Sequence, residues 1–376
     1  MERLTTPPVS NANAAPADPS CLELAGRWFL ESGIQEPLGG VARYYRSDLS
    51  SNARVSTEIT GYAASALAYL HSRTGDPRYL EPALRAGRFL TRVAWNSLLR
   101  AIPFEVSPGG NPTEGHAYFF DSGIIARGLL ALWRVSREAE FLETALDCAE
   151  SMATDFAAGP EFHPVVVLPS KEAAPRDRRW SRGPGCYQLK AALAWCELAE
   201  AAGRAGHSVC YDGLLEYALA THAAFLPGEA ERHRVVDRLH AYCYFLEGLL
   251  PRATQPDCAA ALGEGLRRVA DLLAATARLF ERSDVYAQLL RLRIFAAALG
   301  VVPLERNAAE REVAAILEFQ AAGSDPRIAG GFCFGRQGAQ VLPYVNPAST
   351  AFCAQALEMW RLYRAGGFQP DWRTLI

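Results

Sequence analysis

The feature that most constrains this chain is an alternation of two kinds of helical segment. The clearest case lies between residues 118 and 152. Its first half, Tyr118-Phe119-Phe120-Asp121-Ser122-Gly123-Ile124-Ile125-Ala126-Arg127-Gly128-Leu129-Leu130-Ala131-Leu132-Trp133, is apolar around most of its circumference, with an acid at the head. Its second half, containing Phe141-Leu142-Glu143-Thr144-Ala145-Leu146, is apolar along one stripe only. The first half therefore reads as a buried helix and the second as a surface helix folded back on it.

The same couple recurs at a period of several dozen residues, the mark of a repeat architecture. A charge-poor segment carrying Glu58, Tyr62, Ala66 and Tyr69 turns through Thr74-Gly75-Asp76-Pro77 into 79–93, where Arg85, Arg88 and Arg92 mark an outer face. Further pairs follow at 187–202 with 211–225, 240–250 with 258–273, and 285–299 with 308–320. A last buried helix at 349–363 has no sequel, and the amphipathic segment 21–32 supplies its missing partner. Six inner and six outer helices suit an all-α, double-layered (α/α)6 toroid, with residues 21–376 as one domain. An open solenoid also stacks helix pairs. Closure is favoured because the terminal helices complete each other and because the long loops all join outer helices to inner ones. Residues 165–168 and 341–344 read as short strands within those loops.

Composition narrows the setting. Half of the 376 residues are apolar and the net charge is −3, so no global field favours nucleic acid or an anionic membrane surface. No apolar run is long enough to span a bilayer, and residues 1–20 read as a flexible leader without the features of a signal peptide. The cysteines number nine; Cys148, Cys196, Cys243 and Cys353 sit inside apolar helical runs, which points to a reducing, cytoplasmic setting without disulfides. No CxxC pair, phosphate loop, nucleophile elbow or dinucleotide fingerprint is present, so neither a metal nor a cofactor is expected.

In a toroid of such pairs every inner helix starts at the same end, and the residues near those starts converge. They are Glu58, Asp121, Tyr187, Gln188, His240, Tyr242, Asp284 and Asn346. The basic loop holding Arg179, Trp180 and Arg182, and Arg336 in the last long loop, fall at the same end. Polar groups at the rim of an aromatic cavity are what a sugar-binding site requires. Each has a plainer reading. First-turn acids such as Glu58 and Asp121 also serve as caps and dipole partners, as does Asp284; His240 fits a helix-end histidine, and the arginines fit a solvated loop. As a pair heading buried helices, Glu58 and Asp121 are the candidate catalytic carboxylates.

Phe120-Asp121-Ser122-Gly123-Ile124, the Gly-Leu-Leu-Ala-Leu run after it and the Thr-Gly-Asp-Pro-Arg-Tyr-Leu turn at 74–80 resemble the six-hairpin glycosidase superfamily, most of all the unsaturated glucuronyl and rhamnogalacturonyl hydrolases. That resemblance implies the (α/α)6 toroid and makes Asp121 an acid that hydrates a sugar double bond. The family's second acid, near the start of the third inner helix, is replaced here by Gly185-Cys186-Tyr187-Gln188. The N-acylglucosamine 2-epimerases are similar in fold and place histidines at the mouth, where this chain offers His240. The resulting expectation is a glycoside hydrolase acting on a small or oligomeric acidic sugar. Asp121 is its general acid/base, Glu58 its second carboxylate, the 176–182 loop its anion clamp, and the other convergent residues are substrate ligands. A sugar epimerase and a non-catalytic glycan-binding toroid are the alternatives.

Overall fold

A computed structural model of the protein describes residues 20–106, 115–227, 231–277 and 279–376. The leader, apart from Ser20, lies outside the described residues, as does the loop acid Glu114. Twelve α-helices alternate between two layers. The inner ones are α2 (Thr57–Thr74), α4 (Phe119–Ser136), α6 (Leu189–Ala202), α8 (Arg232–Gly248), α10 (Ser283–Ala298) and α12 (Pro347–Arg364). Their outer partners are α3 (Leu80–Phe89), α5 (Ala139–Thr154), α7 (Ala205–Thr221), α9 (Pro256–Thr276) and α11 (Arg306–Leu317), while α1 (Cys21–Glu31) covers α12. Each inner helix packs on the next, and α12 packs on α2, so the ring closes. The solenoid alternative is thereby excluded.

Local chemistry sets the helix ends. Ser20 and Glu23 form a reciprocal capping box at the start of α1. Ser56 caps α2 through the Ile59 amide, and Gly75 ends that helix with φ +70°. Asn346 caps α12 through the Ser349 amide. Two boundaries depart most from the sequence reading, and the first is that the third outer helix begins at Ala205 and not at 211. The fourth inner helix begins at Arg232 and not at His240, which stands eight residues inside it. The charged run 232–238 resembles a loop in composition, but Val235 and Leu239, one turn apart, are buried and carry the helix two turns further out.

The long loops gather at the starts of the inner helices and are stitched by short antiparallel strands. Gly115–Tyr118 pairs with Val165–Leu168, and Tyr45–Arg46 pairs with both Ser51–Asn52 and Tyr344–Val345, tying the loop before α2 to the loop before α12. At the opposite end the segment after α12 crosses the base of the ring and turns inward. The main-chain oxygen of Ile376 accepts from Lys190 Nζ at 3.0 Å and from Arg291 at 3.2 Å, and that of Leu375 accepts from Arg127 at 2.8 Å. The base of the ring is thereby floored.

Candidate active site at the mouth of the ring

The axis of the toroid is marked by Lys190. It is fully buried, and its ammonium lies 5.3, 4.8 and 4.6 Å from the ring centroids of Tyr62, Tyr244 and Phe352. It donates to Glu247 at 2.7 Å, and Glu247 also accepts from Arg291 at 2.5 Å. Five inner helices thus place six residues about the axis, α8 supplying both Tyr244 and Glu247. A helix presents positions three and four apart on one face. One turn nearer the mouth, the same faces therefore carry Glu58 above Tyr62, Tyr187 above Lys190, His240 above Tyr244, Gln288 above Arg291 and Ser349 above Phe352.

Asp121 completes this upper ring. Helices α2 and α4 run in the same direction and touch where a Cβ on Gly61 would stand 3.0 Å from the Ile125 Cα. Glu58 lies three residues before Gly61 and Asp121 four before Ile125, so both acids sit one turn above the same crossing. Burial pushes the Asp121 carboxyl well above the ordinary carboxylate range, and the nearby Glu58 charge pushes it further; Arg43 opposes both effects. Glu58 is only half-buried by surface exposure yet ringed by protein, and it too is raised by desolvation against the pull of Arg43 and Lys190. Ionisation of one carboxyl therefore disfavours ionisation of the other.

Several upper polar atoms have nothing to bond. Asp121 Oδ2, His240 Nδ1, Gln288 Oε1, Ser349 Oγ and, just below, Tyr62 Oη are buried without a hydrogen-bond partner. Desolvation, aided by the Arg282 charge, pulls the His240 pKa well down and keeps the ring neutral. Aromatic faces line the gaps. Trp180 meets Tyr187 and His240 edge-on at 5.0 and 5.2 Å, and Phe120 lies 4.7 Å from Tyr244. The arrangement combines two carboxyl groups whose pKa values burial raises, a neutral imidazole and unsatisfied polar atoms against aromatic walls.

The structure sorts the sequence candidates. It brings Asp121, Glu58, His240, Tyr187 and Trp180 together. Tyr242 points the other way: its hydroxyl bonds His222 Nδ1 of the outer layer at 3.0 Å, and Tyr244 takes the axial place. Gln188 is occupied by the Gly185 amide at 3.1 Å and the Phe162 carbonyl at 3.2 Å. Asp284 is not a cap; the Arg282 fork holds both its oxygens, at 2.9 and 2.6 Å. Asn346 spends its carbonyl on the α12 cap and its amide on the Arg43 carbonyl at 3.3 Å. Arg179 bonds Asp177 and is exposed, whereas Arg182 lies 5.7 Å over the Tyr118 ring. Arg336 is held by Glu281 and Glu318 and lies over Phe319. Sequence reasoning missed Tyr62, Lys190, Tyr244 and Arg43. The signal for the first three was their spacing from Glu58, Tyr187 and His240.

With this geometry in place, solved structures of matching shape are informative. A cellobiose 2-epimerase from Spirochaeta thermophila superposes with a TM-score of 0.66 at 14% identity, covering 90% of this chain and 94% of that one. A sugar epimerase from a ruminal bacterium gives 0.67 at 10% identity, covering 89% and 96%. A family 76 glycoside hydrolase from a bovine Bacteroides thetaiotaomicron strain gives 0.60 at 10% identity, covering 92% and 78%. The fold is the six-hairpin toroid. No protein-family model and no curated protein matches the sequence. Among the described residues, no helix is long and apolar enough to cross a membrane, and no cluster of three or more His, Cys, Asp or Glu is placed to hold a metal ion.

Proposed function

We propose that this toroid is a carbohydrate-active enzyme, a glycoside hydrolase acting on an acidic, uronic-acid-containing oligosaccharide at the mouth. The observation that carries the reading is the upper ring itself: a raised Asp121 paired with Glu58, among buried polar atoms that lack partners. Unpaired buried polar atoms are costly, and a polyhydroxylated ligand is what supplies them with partners. Asp121, whose proton burial holds more tightly than water does, is the general acid that delivers it to a glycosidic oxygen or an enol-ether carbon. Glu58, ionised while Asp121 holds its proton, activates water or stabilises the developing positive charge. Trp180 and Tyr187 cover sugar C–H faces, and Arg43 and Arg182 face the substrate carboxylate. That the fold is shared with a family 76 glycoside hydrolase supports the reading.

The test is a screen of unsaturated and saturated acidic oligosaccharides read by mass. Products gaining the mass of water, lost with Asp121→Asn, are expected; full turnover by Asp121→Asn overturns the assignment. A second reading has its own observation. His240 is neutral, with a free Nδ1 facing the site, and the epimerases above share the fold. In that reading His240 takes the proton next to the sugar carbonyl and Asp121 returns one, giving an isomer of unchanged mass. Loss of activity in His240→Gln, with no mass change in the product, identifies it.

A further inference from the structure

A second cavity lies at the end of the toroid away from the mouth. It encloses about 400 Å³ between the last turns of α2, α4 and α12 and the segment 367–375 that floors the ring. Its walls carry Arg73, Arg127, Arg134 and Arg373 beside Ala68, Ala131, Met359 and Phe368.

The charge pairing around it is uneven. Glu197 accepts from both Arg127 and Arg134, each at 2.6 Å. Glu358 is held by Arg361 through both oxygens, at 2.7 and 2.8 Å, and Arg73 makes only a single 3.3 Å contact to it. Four guanidiniums therefore share two carboxylates. Arg373 is bound by both Glu200 and Asp371, the latter also lining the cavity, so five cations face four carboxylates and one positive charge is left in excess on this side. The two under-neutralised groups, Arg73 and Arg134, both line the cavity, and each is about one-third exposed, at 37% and 31%. A guanidinium presents five N–H donors, and each of these spends one on its carboxylate. Partly desolvated arginines with free donors facing a common space favour an anion.

The remaining walls restrict which anion. Ala68, Ala131, Met359 and Phe368 present apolar surface that a bare inorganic ion leaves uncovered, whereas an organic acid covers it with its hydrocarbon body. We infer that the base of the toroid is a binding site for a small organic carboxylate, its charge held by Arg73 and Arg134 and its body laid on the apolar wall. This site is separate from the mouth and does not depend on the proposed reaction.

The experiment is calorimetric titration of the full chain with hexanoate, benzoate and inorganic phosphate, backed by thermal shift. Saturable binding of one of the carboxylates with one ligand per chain is expected. Arg73→Gln and Arg134→Gln should each weaken it roughly tenfold or more, whereas Asp121→Asn at the mouth leaves it unchanged. Ala131→Leu keeps every charge, fills the cavity and should also weaken binding. Absence of saturable carboxylate binding, equal or tighter binding of phosphate, or an affinity indifferent to both arginine variants overturns the inference.

Discussion

A Cβ placed on Gly128 would stand 2.5 Å from the carbonyl oxygen of Gly61, so α4 and α2 meet backbone to backbone. This contact sets the height at which Asp121 faces Glu58. Alanine at 128 meets rigid main chain and has to push the helices apart. Gly128→Ala should destabilise the protein by about 1–3 kcal/mol, the usual cost of overpacking, measured by denaturant unfolding. Activity should fall by more than the loss of folded protein explains, because the carboxylates separate.

Asp121 and Glu58 should trade stability for chemistry. A carboxyl whose folded pKa is raised binds its proton more tightly in the native state than in the unfolded chain. Its contribution is therefore favourable below the unfolded value and is lost as pH climbs through the native one. Asp121→Asn and Glu58→Gln should accordingly raise the melting temperature at neutral pH, and raise it less in acid. Turnover with Asp121→Asn should drop by roughly 10²–10⁴-fold, the range for a general acid. A stabilised variant that keeps wild-type turnover removes Asp121 from the chemistry.

Much of this architecture was legible because it is written in period. Charge-poor helices alternating with striped ones gave the layers, and the orphaned helices at the two ends gave closure. The acids were legible because a charge at the head of a buried helix is conspicuous. What stayed hidden depends on rotation about the helix axis and on partners distant in sequence. Tyr242 and Tyr244 are the same residue type and both buried, yet they point to opposite layers. Lys190 could not be placed from the sequence because its partner Glu247 is 57 positions away. The charged start of α8 concealed a helix whose buried seam is only two residues deep.

The anion clamp is tested through Arg43. Its charge acts on both Glu58 and Asp121, and its guanidinium carbon lies 5.1 Å from the Phe104 ring centroid, with Glu105 only 3.7 Å away. Removing it relieves the force that keeps the carboxylates from rising further. Arg43→Gln should move the basic limb of the activity profile to higher pH and raise KM for an acidic sugar several-fold, leaving KM for a neutral analogue nearly unchanged. Equal effects on both substrates confine Arg43 to the scaffold.

The floor of the site makes the sharpest stability prediction. Glu247 lies fully buried between Lys190 and Arg291, which are fully buried as well. The two cations share its carboxylate and the main-chain oxygen of Ile376, and burial pulls the Lys190 amine down to about 7. An amine with a lowered native pKa binds fewer protons folded than unfolded. The cost of burying its charge is therefore present below pH 7 and is relieved as pH rises from about 7 toward the ordinary lysine value. Glu247→Gln removes the carboxylate that both cations share in a dry site and should cost about 3–5 kcal/mol, as breaking a buried pair does. Lys190→Met should cost much less, because Arg291 still holds Glu247 and the rings of Tyr62, Tyr244 and Phe352 accept an apolar side chain. Its stability should also lose the rise between pH 7 and 10 that the wild type shows in denaturant titrations. A Lys190→Met variant as damaged as Glu247→Gln refutes this account of the floor.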